Sequence, residues 1–166
     1  RGHWKESRNH TILKVIYLSS EVVPFAKTGG LADIAGAIPK SLQKLGVEII
    51  VFMPLYCDIK ENAYLMTKTD MQFEVRIGDK VKYGFVYKGF LPDSQVPIYF
   101  LDNEQYYGRN GLYNYPGTTK DFEDNSERFI FFAQGVLVDI EKLNIYLHIL
   151  NCNDWQTNLV PVDLNS

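Results

Sequence analysis

The stretch from residue 11 to residue 54, TILKVIYLSSEVVPFAKTGGLADIAGAIPKSLQKLGVEIIVFMP, determines the expected fold. Residues 11–20 are dense in apolar and β-branched side chains, which predicts a strand buried on both faces. A turn with a Gly29–Gly30 pair follows, and residues 47–54 then predict a second buried strand. Between them lies a helical pattern that ends at Gly46. A strand, a helix and a strand in this order form a βαβ unit with a right-handed crossover.

The predicted helix carries an apolar stripe at spacings of three and four residues, which we expect to face the core. Its members are Leu31, Ile34, Ile38, Leu42 and Leu45. Pro39 falls inside this helix, and because proline lacks a backbone N–H, it should bend the helix or split off its first turn.

The rest of the chain extends the same pattern. Residues 72–77 and 81–90 alternate apolar and polar side chains around a Gly-Asp-Lys turn, which predicts a hairpin with one face in water. Residues 96–103 and 145–150 predict further strands. The sequence therefore predicts a doubly wound, Rossmann-like α/β domain with a mostly parallel sheet and an added β-hairpin.

A second helix is expected from Asn125 or Ser126 to about Leu143, since either residue can cap a helix N-terminus. Its predicted buried stripe consists of Phe129, Phe132, Val136 and Ile140. A long Tyr-, Gly- and Asn-rich loop, residues 103–124, precedes this helix, and loops of that length are usually functional or disordered.

Composition narrows the possible functions. The 166 residues suit one domain, and a net charge of −3 argues against a nucleic-acid partner. No apolar run has the length of a membrane span, so no membrane partner is expected. Cys57 and Cys152 form neither a metal-binding pattern nor a disulfide framework, as expected of free thiols in a reducing compartment. Residues 1–10 are interpreted as a loose or appended tail.

The turn before the first helix is the leading candidate for a ligand site. It lies at the carboxyl edge of a predicted parallel strand, where ligands bind in such folds. Gly29 and Gly30 would let backbone N–H groups approach an anion, and Lys27 would supply a positive charge for a phosphate. The alternative is a tight turn with a solvated lysine. Neither the dinucleotide-binding nor the Walker glycine pattern is present.

Several longer blocks resemble the starch and glycogen synthases. They are KTGGLADIAGAIPKSLQKLG at 27–46 followed by VFMPLY at 51–56, YYGRNGLY at 106–113, DNSERFIFF at 124–132 and NDWQTNLVPV at 153–162. The similarity covers roughly residues 12–164. It implies a GT-B glycosyltransferase, in which two Rossmann-like domains face each other across a cleft, and this chain would be the N-terminal, acceptor-side domain.

The resemblance also implies the reaction. Glucose would pass from ADP-glucose, or UDP-glucose in some members, to the non-reducing end of an α-1,4-glucan, with retention of configuration and with no metal or other cofactor. The partners would be the nucleotide sugar, a maltooligosaccharide and a C-terminal nucleotide-sugar domain that this sequence lacks. Without that domain we expect the isolated chain to be inactive. The cellular location would be the bacterial cytoplasm or the plastid stroma.

The matching motifs assign roles to individual residues. Lys27, Gly29 and Gly30 would bind the donor phosphates. The catalytic group would contain Asp33, Asn153 and Asp154. No metal ligand is expected.

On the acceptor side, the resemblance points to Tyr107, Tyr113, Asp124 and Asn125 as sugar-binding residues. Two alternatives remain open at this point. Loop tyrosines often serve only to hold a loop in place, and Asp124 could instead form an ion pair with Arg128 at helical spacing. Glu21 is interpreted as an ordinary solvated carboxylate.

The chain departs from the family at one motif. Many members have His-x-His-Asp-Trp where this chain has residues 151–155, Asn-Cys-Asn-Asp-Trp. Asparagine can hydrogen-bond a sugar but cannot become charged, so no histidine-based proton transfer is expected there. His148 is predicted to be structural and Trp155 to anchor the core. Two other functions are compatible with the sequence: a non-catalytic glucan-binding module, and, on fold class alone, a nucleotide-binding oxidoreductase domain.

Overall fold

A computed structural model describes residues 12–62, 64–154 and 156–157. Strands and helices alternate in the first and last parts of the chain, and a long hairpin separates them. The elements run in the order β1 (Lys14–Leu18), α1 (Gly30–Lys44), β2 (Glu48–Pro54), α2 (Cys57–Glu61), β3 (Met66–Ile77), β4 (Lys80–Phe90), β5 (Pro97–Asp102), α3 (Glu104–Tyr107), α4 (Asn125–Lys142) and β6 (Ile149–Cys152).

The described strands form one six-stranded sheet in the order β3-β4-β5-β2-β1-β6. The pairs β5–β2, β2–β1 and β1–β6 are parallel, whereas β3–β4 and β4–β5 are antiparallel. The hairpin is longer than predicted, but it lies where the alternating pattern indicated. The predicted doubly wound, mostly parallel α/β sheet with an added hairpin is confirmed.

The order of the strands locates a ligand crevice. From β1 the chain proceeds to β2 and β5 on one side, and α4 then precedes β6, which pairs with β1 on its other side. At the carboxyl end of β1, Leu18 is aligned with Phe52 of β2 and with Cys152 of β6. The strand order thus reverses between β1 and β6, and open α/β sheets bind ligands at such a reversal.

Helix α4 confirms its predicted buried stripe. Phe129, Phe132 and Val136 are fully buried, and Ile140 is nearly so. The helix also packs closely on the sheet at Gly135, where an added Cβ would lie 2.7 Å from the Phe73 ring of β3. Large side chains at helical spacing and one small residue therefore seat α4 on the hairpin and the neighbouring strands.

Helix α1 does not bury its predicted stripe. Ile34, Ile38 and Leu45 are 52%, 40% and 79% exposed. The buried positions of the helix are the small or compact residues Ala32, Ala35, Gly36 and Pro39. The reason is close packing against the turn after β1: a Cβ added at Gly36 would lie 2.9 Å from the Val23 carbonyl oxygen.

The Pro39 prediction is also wrong in one respect, because α1 is not split: it runs unbroken from Gly30 to Lys44. The last strand begins later than predicted, so His148 precedes β6. Its Nδ1 accepts a hydrogen bond from the Lys14 backbone N–H at 3.0 Å, which confirms a structural role. Both cysteines are free. The tail at residues 1–10 and Trp155 lie outside the described residues.

Among the helices of the described part, none is long and apolar enough to cross a membrane.

Candidate functional site

The turn that follows β1 is organised around a buried carboxylate. Glu21 is only 4% exposed. Its Oε2 accepts hydrogen bonds from the backbone N–H groups of Thr28 at 2.7 Å and Gly29 at 3.3 Å. Its Oε1 accepts from the Thr28 hydroxyl at 2.5 Å and the Tyr113 hydroxyl at 2.9 Å. The interpretation of Glu21 as a solvated carboxylate is therefore wrong, because four donors surround it inside the domain.

Lys27 and Asp33 lie together at the mouth of the turn. The Lys27 ammonium is 2.9 Å and 2.7 Å from the two carboxylate oxygens of Asp33, which belongs to the first turn of α1. Both side chains are more than half exposed, at 53% and 57%. Exposed ion pairs of this kind are worth only about 0–1 kcal/mol. The lysine is thus near the helix N-terminus and is held there weakly.

The glycine pair is open to its surroundings. Apart from the adjoining residues and the backbone of α1 itself, no heavy atom of the described chain lies within 4 Å of the position that a Cβ would take at Gly29 or Gly30. Gly29 is the N-cap of α1, and no side chain caps the helix. Since the first N–H groups of a helix have no partner within the helix, they and the helix dipole favour an anion here.

The end of β6 reaches the same edge of the sheet. Asn153 donates from Nδ2 to the Leu18 carbonyl oxygen at 2.6 Å, and its backbone N–H lies 3.2 Å from the same oxygen. Asp154 follows, exposed, with a positive φ of 65°. Two of the predicted catalytic residues therefore lie at the reversal of strand order, although the Asn153 amide is partly used to hold β1.

Tyr113 extends from the long loop to this edge. Its hydroxyl lies 2.6 Å from Ser20 Oγ as well as 2.9 Å from Glu21 Oε1. Its ring is half-buried and packs against Phe129 of α4 at a centroid distance of 5.8 Å. Burial raises the pKa of the Tyr113 hydroxyl far above its ordinary value, so the hydroxyl remains a donor.

The structure places two of the predicted sugar-binding residues inside the domain. Tyr107 is fully buried and its hydroxyl donates to the Arg128 carbonyl oxygen at 2.7 Å, so its ring has no face free for a sugar. Asn125 is 8% exposed. Its Nδ2 donates to the Tyr113 carbonyl oxygen and its Oδ1 accepts from Arg128. Both residues hold the loop, and for Tyr107 this is the alternative that the sequence had left open.

Asp124 has a different partner from the one that helical spacing suggested. Its carboxylate pairs with Arg109 through two hydrogen bonds of 2.8 Å, and both side chains are about 30% exposed. Arg128 is instead fully buried and donates to the carbonyl oxygens of Tyr106 and Leu112, each at 2.7 Å. Asp124 therefore stays accessible as a candidate, and Arg128 is part of the scaffold.

The structure thus brings most of the predicted residues to one edge of the sheet. The turn at 27–30, Asp33, Asn153 and Tyr113 lie around the carboxyl ends of β1 and β6. Sequence reasoning missed Glu21, whose only local signal was an acidic residue directly after a buried strand. Among the described residues, no cluster of three or more His, Cys, Asp or Glu side chains could hold a metal ion.

An open, doubly wound sheet with an anion-favouring turn at its reversal defines a Rossmann-like ligand-binding domain. The family model for the starch synthase catalytic domain matches residues 14–166. The chain therefore belongs to the starch and glycogen synthase family of glycosyltransferases.

Individual relatives of the chain agree with this family assignment. The chain is 41% identical over 155 residues to a glycogen synthase of Syntrophotalea carbinolica, covering 93% of this chain and 31% of the relative. A glycogen synthase of Caldicellulosiruptor saccharolyticus is also 41% identical, over 93% of this chain and 30% of its own length. The chain thus spans about a third of the length of these curated relatives.

A solved structure shows the same fold. The catalytic domain of Starch Synthase IV from Arabidopsis thaliana, bound to ADP and acarbose, superposes with a TM-score of 0.78 at 24% identity, over 90% of this chain and 29% of that one.

Proposed function

We propose that this chain is the N-terminal, acceptor-side half of a retaining glucan synthase that transfers glucose from a nucleotide sugar to an α-1,4-glucan. One observation supports this most strongly. The open N-terminus of α1, with Lys27 beside it, lies at the same sheet edge as Asn153 and Tyr113. This arrangement supports a site in which the diphosphate and the sugar would bind in one crevice.

We propose Lys27, Gly29 and Gly30 as the donor-phosphate contacts. When the glycosyl bond breaks, negative charge develops on the departing diphosphate, and prepositioned N–H groups and a lysine stabilise charge where it develops. Asp33 would hold the lysine in place until the phosphate arrives. The ADP in the related starch synthase structure supports ADP-glucose as the donor. The reaction, as proposed, needs no metal or other cofactor.

On the sugar side we propose Asn153, Asp154 and Asp124 as contacts to hydroxyl groups, with Tyr113 lining the path of the glucan. Asn153 retains its Oδ1 as an acceptor while Nδ2 holds Leu18. Asp124 is oriented by the two hydrogen bonds from Arg109. The enzyme would work in the cytoplasm of a bacterium or in the stroma of a plastid.

The isolated 166-residue chain should transfer no glucose from ADP-glucose to maltoheptaose, because the opposite face of the cleft belongs to a second domain. It should nevertheless bind ADP and maltoheptaose, weakly and saturably, as measured by chemical-shift titration. Transfer of radiolabelled glucose by this chain alone would contradict the first statement. Binding of maltoheptaose without any binding of ADP would instead favour a non-catalytic glucan-binding module.

In a synthase chain that joins this domain to its nucleotide-sugar half, Lys27→Ala should lower kcat by on the order of a hundredfold, as expected for the loss of one contact to developing charge. Lys40→Ala is the matched control, since Lys40 lies on the same helix and makes no ion pair among the described residues. The assay is steady-state glucose transfer at saturating ADP-glucose. An unchanged kcat in Lys27→Ala would remove Lys27 from the proposed site.

A further inference from the structure

The Glu21 carboxylate has no remaining capacity to bind a ligand. A carboxylate offers about four acceptor positions. All four are used, two by Thr28, one by Gly29 and one by Tyr113. None of these donors is a cation, so Glu21 is held by neutral hydrogen-bond donors. Its role in the site must therefore be to position other groups.

The donors come from two distant parts of the chain. Thr28 and Gly29 form the turn that leads from Lys27 into α1, whereas Tyr113 belongs to the long loop and is 92 residues from Glu21. One carboxylate thus fixes the proposed phosphate-binding turn and the proposed sugar-binding loop relative to each other.

The hydrogen bonds around Tyr113 have a consistent direction. Its single hydroxyl proton can be given to Glu21 Oε1 at 2.9 Å if Ser20 Oγ, at 2.6 Å, donates to the tyrosine oxygen. The Ser20 carbonyl oxygen in turn accepts from the Tyr56 hydroxyl at 2.9 Å. The bonds from Ser20 Oγ to Tyr113 and from Tyr113 to Glu21 form a continuous chain in a buried setting, and such bonds reinforce each other, whereas the Tyr56 bond holds the Ser20 backbone separately.

Both ends of the glycine turn are held by backbone hydrogen bonds, from the Ala26 N–H to the Val22 carbonyl oxygen at 3.0 Å and from the Val23 N–H to the Ala32 carbonyl oxygen at 3.1 Å, but its middle has few side-chain contacts. The Cβ positions of Gly29 and Gly30 have no neighbour within 4 Å, and α1 has no side-chain cap. The Lys27–Asp33 pair is exposed and weak. Within these fixed ends, the bonds to Glu21 are the ones that hold the Thr28 and Gly29 amides.

We propose that Glu21 is a positioning residue that couples Tyr113 of the long loop to the Thr28–Gly29 turn, so that a change on the sugar side of the crevice alters the order of the anion side. The names given to the two sides rest on the proposed function, whereas the coupling itself does not.

Hydrogen exchange on the full 166-residue chain tests the coupling. In Tyr113→Phe, the backbone amides of Thr28 and Gly29 should exchange roughly three- to tenfold faster, the effect of losing one hydrogen bond that holds their common acceptor. Tyr83→Phe, which removes a hydroxyl from an exposed ring on β4, is the matched control and should leave both amides unchanged. Equal rates in Tyr113→Phe and the unmodified chain would overturn the proposal.

Three further substitutions, Thr28→Ser, Thr28→Val and Glu21→Gln, separate the coupling from a general loosening of the fold. Thr28→Ser keeps the hydroxyl donor and should retain slow exchange at Gly29, whereas Thr28→Val should accelerate it. In a Glu21→Gln background, Tyr113→Phe should add less than about twofold, because the shared acceptor is already altered. A full additional effect in that background would show that Tyr113 acts independently of Glu21. Should Glu21→Gln not fold, the Tyr113→Phe and Thr28 comparisons decide the question alone.

Titration with ADP distinguishes failure of the coupling from failure of the proposed function. If ADP binds, Tyr113→Phe should weaken it roughly three- to tenfold while Tyr83→Phe does not. If ADP does not bind but exchange at Thr28 and Gly29 responds to Tyr113→Phe, the coupling is supported and the function is wrong. If ADP binds and neither exchange nor affinity responds, the coupling is wrong and the function stands.

Discussion

Replacing Arg128 by leucine is expected to lower the free energy of unfolding by about 3–5 kcal/mol, because three buried acceptors lose their donor at a cost of about 1–3 kcal/mol each. Arg128 is fully buried, and burial lowers the pKa of its guanidinium. Its Nε and Nη1 donate to two backbone carbonyl oxygens, Tyr106 and Leu112, and Nη1 also donates to Asn125 Oδ1 at 2.8 Å. Leucine would leave these acceptors buried without donors.

Urea-induced unfolding of the isolated domain would measure this loss. Arg109→Leu is the control, because Arg109 is about 30% exposed and its pair with Asp124 should contribute less than about 1 kcal/mol. The loss of unfolding free energy in Arg128→Lys should lie between those of Arg128→Leu and Arg109→Leu, since one ammonium cannot reproduce the planar set of guanidinium donors. A loss below about 1 kcal/mol in Arg128→Leu would mean that the loop is held by its buried tyrosines instead.

The second large expected effect is a dependence of folding stability on pH, and it is caused by Asp139 of α4. Asp139 is fully buried, and neither carboxylate oxygen has a hydrogen-bond partner among the described residues. Burial raises its pKa from 3.8 to about 7, although the positive charge of Lys142 opposes the shift. The folded state therefore binds a proton that the unfolded state has released, and the resulting stability is fully present only below about pH 4.

As the pH rises from about 4 to 7 and above, this contribution is lost, and the carboxylate must be ionised in a buried site. A pKa difference of this size corresponds to roughly 4 kcal/mol. Asp139→Leu should therefore be more stable than the unmodified chain at pH 8, with an advantage that shrinks towards pH 4.

Asp139→Asn and Glu141→Gln form a matched pair for this test, since both remove a carboxylate from α4 but Glu141 is exposed. Unfolding free energies at pH 5 and pH 8 should differ less in Asp139→Asn than in the unmodified chain, whereas Glu141→Gln should leave that difference unchanged. An Asp139→Asn variant with the unmodified pH dependence would contradict the assignment.

The two long helices show why the sequence predicted part of the fold correctly. In α4 the large apolar residues at spacings of three and four are the ones that pack, so periodicity identified Phe129 and Val136 as core. In α1 the same rule failed, because a close approach to the turn at Val23 selects small residues instead. Hydrophobic periodicity records size and polarity, but it does not record how near the neighbouring backbone lies.

The sequence likewise indicated some residues of the candidate site and not others. The resemblance assigned Lys27 and Asp33 to one site, since both belong to one contiguous motif, and the structure pairs their side chains. It did not indicate that Tyr107 is buried, because its hydroxyl is bonded to the backbone of Arg128 in α4, further along the chain. It also gave no indication of Glu21, whose partner Tyr113 lies 92 residues away. Contacts between distant segments are a property of the folded domain and leave no local pattern.

The exposed Lys27–Asp33 pair has a consequence that is best expressed as populations. An ion pair worth about 0.2–1 kcal/mol is broken in roughly 15–40% of molecules at any moment. An anion that requires the free lysine would then bind only about two- to sixfold more weakly than if Asp33 were absent, because apparent affinity falls with the competent fraction. In the absence of ligand, the aspartate can thus keep the ammonium beside the helix N-terminus. The cost is a small loss of affinity for the anion, and added salt would make this loss smaller because it weakens the ion pair.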